Sequence, residues 1–542
     1  MVTAALPITD TYSLTCRPRR HLRMVVLVGA CLWQAACATS NQPAITSVDD
    51  PQTRDLLNQT IELVATRYID PISREQILVN TLDGLSDLDN NIRVNITPDD
   101  LVLNYGTQTV QTIELPKTPD SGGSPMVWSE ITIKGLSTYR AYSPDLRSSS
   151  TLDIQSALIS GAIRNLDRYS RYEGPKQAET ARNRRDGYIG IGVRVIGGEG
   201  YPVVKLVHPD SPADLAGLHP GDEIISVNGD DMYGQTSQFT ADLLHGEEGS
   251  SVRMEVNTAS SSQIIPMEIM RERVIDRTVF TEFRDNVLIA RLSSFNNATA
   301  SALGDSLLTA QLRTGGLKGV ILDLRGNRGG LLQQGVAVAD LFLENGPIGN
   351  TFSRVMAARH VFKAETGDVS SGVPLVVLID GRTASSAELV AAALQDRNRA
   401  VLIGSTSFGK GSVQAINDLP NKGTLTFTWS RMTAPSGYTF DRIGLFPAVC
   451  TGTPATQKTN AADQVTNALA HHNQITKIMT KWRSLDYQDE ATRRQLREVC
   501  PADTHGTGFD VEVALELIKN HPYYRTLVFA GQQEIADIFN VE

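Results

Sequence analysis

Residues 375–414 read LVVLIDGRTASSAELVAAALQDRNRAVLIGSTSFGKGSVQ, and this stretch decides how the chain is understood. Leu375-Val376-Val377-Leu378-Ile379 is a short run without a polar break, as expected of a strand buried on both faces. It ends in Asp380-Gly381, a turn signal. The following Leu389-Val390-Ala391-Ala392-Ala393-Leu394 favours helix, which puts Ser385 at a helix N-terminus. Unpaired N–H groups and the positive end of the helix dipole favour a developing negative charge there. A second strand-like run, Ala400-Val401-Leu402-Ile403-Gly404, precedes Lys410, and Gly409 and Gly411 let the backbone turn tightly around it. A serine hydroxyl attacks only when a base removes its proton, and a lysine is such a base only where its surroundings hold it neutral. The stretch therefore describes a candidate Ser/Lys hydrolase.

Its motifs resemble those of the carboxyl-terminal processing, or tail-specific, proteases. That family pairs a serine in an S-A-S-A-S-E-like stretch with a lysine 25 positions later in F-G-K-G-x-V-Q, and Ser385 and Lys410 have this spacing. The likeness extends to Leu394-Gln395-Asp396, to Asp323-Leu324-Arg325-Gly326-Asn327-Arg328-Gly329-Gly330, to Ala434-Pro435-Ser436-Gly437 and to Gly444-Leu445-Phe446-Pro447. A set of motifs in order is far more specific than any one of them. Thr383 and Ala387 replace the outer serines of the family stretch, and Ser386 stands where alanine is usual. Two adjacent serines result; the spacing to Lys410 and to Glu388 favours Ser385 over Ser386. The resemblance implies an α/β crotonase-like core in which Ser385 attacks the peptide carbonyl and Lys410 takes and returns the proton. It implies that Gln414 orients the amine, and that the backbone N–H groups of Gly329 and Ser386 form the oxyanion hole. Asp396 is either a direct participant or a supporting partner. No cofactor is implied. The histidines lie outside catalytic-looking contexts, which disfavours a Ser/His/Asp triad, and the absence of H-E-x-x-H and C-x-x-C disfavours a metal site.

Residues 186–273 form a second recognisable module. Gly187-Tyr188-Ile189-Gly190-Ile191-Gly192-Val193 alternates small and apolar residues. Further on, Pro220-Gly221-Asp222-Glu223-Ile224-Ile225-Ser226-Val227-Asn228-Gly229 reads as turn, strand and Asn-Gly hairpin turn. The order resembles a PDZ domain of the bacterial protease type. Such domains bind an extended peptide by strand addition and capture its terminal carboxylate on loop amides. Here the loop is Tyr188, Ile189, Gly190, Ile191 and Gly192. A module of this kind either selects substrates with free C-termini or gates access to the hydrolase.

The 542 residues suggest three to four domains. Hydrophobic content of 41% and charged content of 20% describe ordinary globular material, and a net charge of −10 without a long basic block argues against nucleic acid as a partner. The N-terminus has the layout of an export signal, with Arg17, Arg19, Arg20 and Arg23 before the apolar residues 24–33. Cleavage after Ala36 would leave Cys37 at the new terminus as in a lipid-anchored lipoprotein, cleavage after Ala38 would leave a soluble periplasmic protein, and an uncleaved anchor is the remaining option; Gln34 stands where lipoprotein signals usually carry Leu. With Cys16, Cys31 and Cys37 in or at this signal, Cys450 and Cys500 remain as a disulfide pair suited to an oxidising compartment.

The reading is thus a mixed α+β multidomain protein. It has an export signal (1–38), a helical region (39–185) with an insertion at about 90–150, a PDZ β-sandwich-like domain (186–273), the protease core (274–450) and a helical C-terminal extension (451–542). Within the insertion, residues 110–115 and 127–133 look strand-like. The extension is read as a cap stapled by the disulfide, without chemistry of its own, whose role is control of the active site or of oligomerisation, and the helical segments leave room for a homo-oligomer. A non-catalytic PDZ scaffold presenting tails to another protease is the alternative, which the presence of both Ser385 and Lys410 disfavours.

Overall fold

The apolar run that opens the sequence reading is an inner strand. In the computed structural model, which describes residues 51–116, 124–313, 315–453, 459–485, 489–504 and 508–529, every residue of Leu375–Ile379 is buried. Its sheet runs in the order Val279–Arg284, Val287–Leu292, Gly319–Asp323, Leu375–Ile379, Ala400–Gly404, Val449–Cys450. The first pair is antiparallel and all later pairs are parallel. Alternate side chains leave opposite faces of a strand, so a run without polar breaks needs a cover on each side. Leu375, Val377 and Ile379 pack with the helices Thr299–Gln311, Leu332–Asp340 and Ser386–Asp396. Val376 and Leu378 pack instead with Val513, Leu517 and Leu527, which lie on Gly508–Lys519 and His521–Val528. The C-terminal extension is therefore more than a cap. It supplies one of the layers that let the parallel sheet exist.

A second sheet contains the two strands that follow Lys410. It runs His360–Ala364, Gly346–Phe352, Thr424–Thr433, Ser412–Asp418, with the short strand Arg171–Glu173 added to Thr424–Thr433. The N-terminal helices Pro51–Arg67, Arg74–Asp83 and Thr151–Ile163 pack against it, burying Leu56, Ile77 and Leu158 with Leu425 and Phe427. The insertion contributes a three-stranded antiparallel sheet, Ile92–Ile96, Asp100–Tyr105 and Gln108–Glu114.

One strand-like reading fails there. Residues 127–133 lie inside the helix Pro125–Tyr142 despite their β-branched content. Ser124 caps the helix by accepting from Met126 N–H, Pro125 starts it, and Trp128, Thr132, Leu136 and Tyr139 fall on one buried helical face. Periodicity and end signals outweigh local strand propensity at this site.

Residues 193–270 build a sheet in the order Ile264–Met270, Ser251–Asn257, Glu223–Val227, Gly200–Val207, Val193–Gly198, around a separate apolar core that includes Ile191, Val227 and Val252. Asn228 and Gly229 both have positive φ, 52° and 93°, as a type I′ hairpin turn requires. Among the described residues no helix is long and apolar enough to cross a membrane. The export signal and Cys37 lie outside the described residues.

Cys450 and Cys500 are bonded to each other, with Cα atoms 5.9 Å apart at a sequence separation of 50. On the chain-entropy model a loop of that length stabilises the fold by about 4 kcal/mol. Denaturant unfolding of the oxidised protein and of a Cys450→Ser/Cys500→Ser variant should differ by an amount of that order. Equal midpoints would remove the staple from the account.

Candidate active site

The turn before Ser385 is shaped by Asp380, whose carboxylate accepts from the backbone N–H groups of Gly326 (2.9 Å), Arg382 (3.0 Å) and Thr383 (2.9 Å). Thr383 Oγ1 donates to Leu324 O, and Ala384 N–H donates to Asn327 O, so the serine turn is sewn to the Asp323–Gly330 motif. These ties hold Ser385 at φ 60°, ψ −124°, the residue before the buried helix Ser386–Asp396. Positive φ at a non-glycine residue costs on the order of 1–3 kcal/mol and persists only where the surroundings impose it.

The two serines differ in environment. Ser385 is half-buried, whereas Ser386 is 1% exposed. A Cβ at Gly335 would stand 2.8 Å from Ser386 Cβ, so that serine faces the Leu332–Asp340 helix. No hydrogen bond among the described residues uses the Ser386 Oγ or takes up its backbone N–H.

Glu388 is the residue whose importance the sequence reading missed. Its carboxylate is fully buried and accepts from Ser385 N–H (3.0 Å), Gly409 N–H (2.7 Å), Lys410 N–H (2.8 Å) and the Ser407 hydroxyl. Burial pushes its pKa up, and the four donors oppose that by favouring the carboxylate. One side chain thus fixes the backbone of the serine relative to that of the lysine. The signal was present in sequence as a Ser-x-x-Glu pattern, the mark of a capping box.

Lys410 is partly buried, and loss of hydration pulls its pKa down from 10.5 to about 8. Arg171 and Arg168 act in the same direction, while Asp167 and Glu388 act against it. The ammonium lies 4.7 Å from the centre of the Tyr169 ring. Among the described residues no hydrogen bond joins Lys410 Nζ to Ser385 Oγ. Gln414 Nε2 donates to Ser412 Oγ (3.1 Å) and Thr428 Oγ1 (3.2 Å). The Gly329 N–H donates to Asn327 Oδ1 at 2.8 Å, although Gly329 lies so close to the serine that a Cβ there would come within 2.8 Å of Ser385 Cβ. The parts are neighbours, but this arrangement leaves the base turned to Tyr169 and one backbone donor occupied.

Asp396, at the end of the same helix, pairs with Arg483 at 2.6 Å, and Asp396 Oδ2 accepts from the N–H and hydroxyl of Ser436. These contacts suit a support.

In the 186–273 module, Tyr188, Ile189 and Gly190 form a short strand paired with Glu272–Val274, so only Ile191 and Gly192 of the expected loop lie outside regular structure. The Tyr188 ring packs 4.9 Å from that of His245, and Gly192, at φ 87°, lies too close to Ser211 for any side chain. Ile196 and Phe239 are exposed on the adjoining strand Val193–Gly198 and helix Ser237–Leu244.

A half-buried serine on a strained helix start and a desolvated lysine tied to it through Glu388 have the geometry of a hydrolase. The sequence model of peptidase family S41 matches residues 286–450, and that of the PDZ domain matches residues 203–258. The carboxy-terminal-processing protease of Bartonella bacilliformis is 34% identical over 310 residues, 56% of this chain and 71% of that protein. The carboxy-terminal processing protease CtpA of Bacillus subtilis is 33% identical over 299 residues, 54% of this chain and 63% of that one. Among solved structures, the photosystem II D1 C-terminal processing protease aligns with 73% of this chain and 92% of its own length, at 22% identity and a TM-score of 0.37. The chain belongs to the carboxy-terminal-processing proteases, serine-type peptidases of family S41.

Replacing Glu388 by Gln keeps its shape but removes acceptor capacity and charge. Hydrogen bonds to charged groups are worth about 1.5–3 kcal/mol each, so kcat should fall by about tenfold or more. Because the Glu388 charge raises the Lys410 pKa, the acid limb of the pH profile should also move below its wild-type midpoint. An unchanged rate and profile would contradict the clamp.

Proposed function

We propose that the protein is a serine endopeptidase that cleaves exported protein substrates at or near their C-termini through a Ser385/Lys410 dyad. The observation that carries this reading is the Glu388 carboxylate holding both backbones at once, with Lys410 desolvated enough to lose its proton near pH 8. Ser385 Oγ attacks the scissile carbonyl while Lys410 accepts its proton. The tetrahedral oxyanion is held by the N–H groups of Ser386 and Gly329. Lys410 then protonates the leaving amine, and water, deprotonated by Lys410, releases the acyl group. Gln414 orients the lysine once its amine swings from Tyr169 to the serine, and Gly329 joins the oxyanion hole when its bond to Asn327 opens. The half-burial of Ser385 against the full burial of Ser386 supports Ser385 as the nucleophile.

The PDZ module takes the substrate tail beside Ile191 and Gly192, with Ile196 and Phe239 offering apolar contact to its side chains. The boundaries at residues 185, 273 and 450 separate helical region, PDZ module, core and extension. Export to the bacterial periplasm is part of the reading and is supported by the Cys450–Cys500 disulfide. Cys37 is the residue that would carry a lipid anchor, and self-association through the helical regions completes the partner set.

Two comparisons test it. Ser385→Ala should abolish cleavage of a tailed protein substrate while Ser386→Ala retains much of it; the reverse result would transfer the nucleophile to Ser386. Removing residues 187–273 should abolish tail-dependent cleavage. Faster cleavage of the same substrates would instead make the module a gate, and a protein without any peptidase activity would leave only the scaffold.

A further inference from the structure

The family match ends at residue 450, yet the lysine loop is braced from beyond it. Arg497, near the end of the helix Glu490–Val499, donates through one guanidinium nitrogen to Ser407 O at 3.1 Å and through the other to Ile443 O. These carbonyls belong to the two walls around Lys410. The 407 wall leads directly to the lysine, and the Ser407 hydroxyl donates to Glu388. The 440–444 wall holds the flanking glycines. Asp441 Oδ1 accepts from Gly411 N–H at 2.9 Å, Gly409 O accepts from Arg442 N–H at 2.9 Å, and a Cβ at Gly409 would lie 2.9 Å from Arg442 C. A planar fork is the side-chain shape that can satisfy two carbonyls on separate strands of chain at once; an ammonium concentrates its charge at one point.

Arg497 is itself anchored. Cys500 is bonded to Cys450, its carbonyl accepts from Thr406 Oγ1 at 2.5 Å, and Asp503 O accepts from Gly381 N–H at 2.6 Å, at the start of the serine turn. Trp482, also in the extension, donates to Gly444 O at 2.9 Å. The extension therefore touches the backbone on both sides of the dyad.

We propose that Arg497 is a positioning residue for the lysine base: its guanidinium clamps the Ser407 and Ile443 carbonyls and so fixes where Lys410 stands relative to Ser385. This rests on the dyad reading above. It gives a specific form to the control of the active site that the sequence left open for the C-terminal extension.

The test uses the full chain with a serine-directed phosphonate, which needs no PDZ engagement, alongside a tailed peptide substrate and thermal unfolding. Arg497→Ala should lower both kcat and the rate of phosphonate labelling by about tenfold or more, leaving KM for the tailed peptide within about twofold. Arg497→Lys should recover only part of the rate. Labelling of Arg497→Ala at the wild-type rate would overturn the proposal, as would a rise in KM with kcat unchanged. Where Arg497→Ala does not fold, Arg497→Lys decides: a reduced labelling rate supports the clamp and the wild-type rate overturns it. A wild-type protein that takes no label at Ser385 would overturn the dyad and this proposal together, which distinguishes the two failures.

Discussion

The active-site architecture depends on one buried carboxylate. Glu388 cannot hydrate, so its charge is tolerable only if protein donors replace water, and the four that do so come from the serine turn and the lysine loop. The requirement works in both directions. The carboxylate needs those backbones close, and the backbones, without a regular partner at a helix start and in a glycine-flanked loop, need an acceptor. Two segments separated by 25 residues are thereby locked by the electrostatics of a third group that performs no chemistry itself.

The lysine is set by a different balance. Its amine is desolvated by the protein around it and repelled by Arg168 and Arg171, yet remains attracted to Asp167 and Glu388. Its position against the Tyr169 ring satisfies a cation while keeping the amine off the serine. Gln414 and Gly329 are likewise engaged with Ser412, Thr428 and Asn327. Asp167, Arg168 and Arg171, whose charges act on the lysine, lie in a segment that precedes the PDZ module in the chain.

Much of this was legible in the chain. Leu375–Ile379 and Ala400–Gly404 are strands at the residues expected, and the helix after Ser385 starts where its dipole faces the reacting group. The disulfide pairing followed from counting cysteines outside the signal. What stayed hidden depended on contacts distant in sequence. Glu388 served in the sequence only to fix the register of Ser385, because its partners at 407–410 are recognisable only in space. The extension looked like a cap because its apolar residues match no local motif. Their purpose follows from Val376 and Leu378 facing away from the nucleophile helix. The helix at Pro125–Tyr142 was misread in part because Val127, Ile131, Thr132 and Ile133 favour strands locally, whereas the buried face, with Trp128, Thr132, Leu136 and Tyr139, extends over several turns.

The central claim is that a desolvated Lys410 is the base for Ser385. The pH dependence of phosphonate adduct formation, with the adduct mapped by mass spectrometry, tests it directly. The account predicts an adduct on Ser385 whose rate of formation rises with pH through a midpoint near 8, the pKa of the buried lysine. In Lys410→Ala the rate should be lower by about a hundredfold or more, since general base catalysis is worth about 10²–10⁴-fold, and should lack that rise. An adduct on another residue, or the same rate and profile without the lysine, would contradict it.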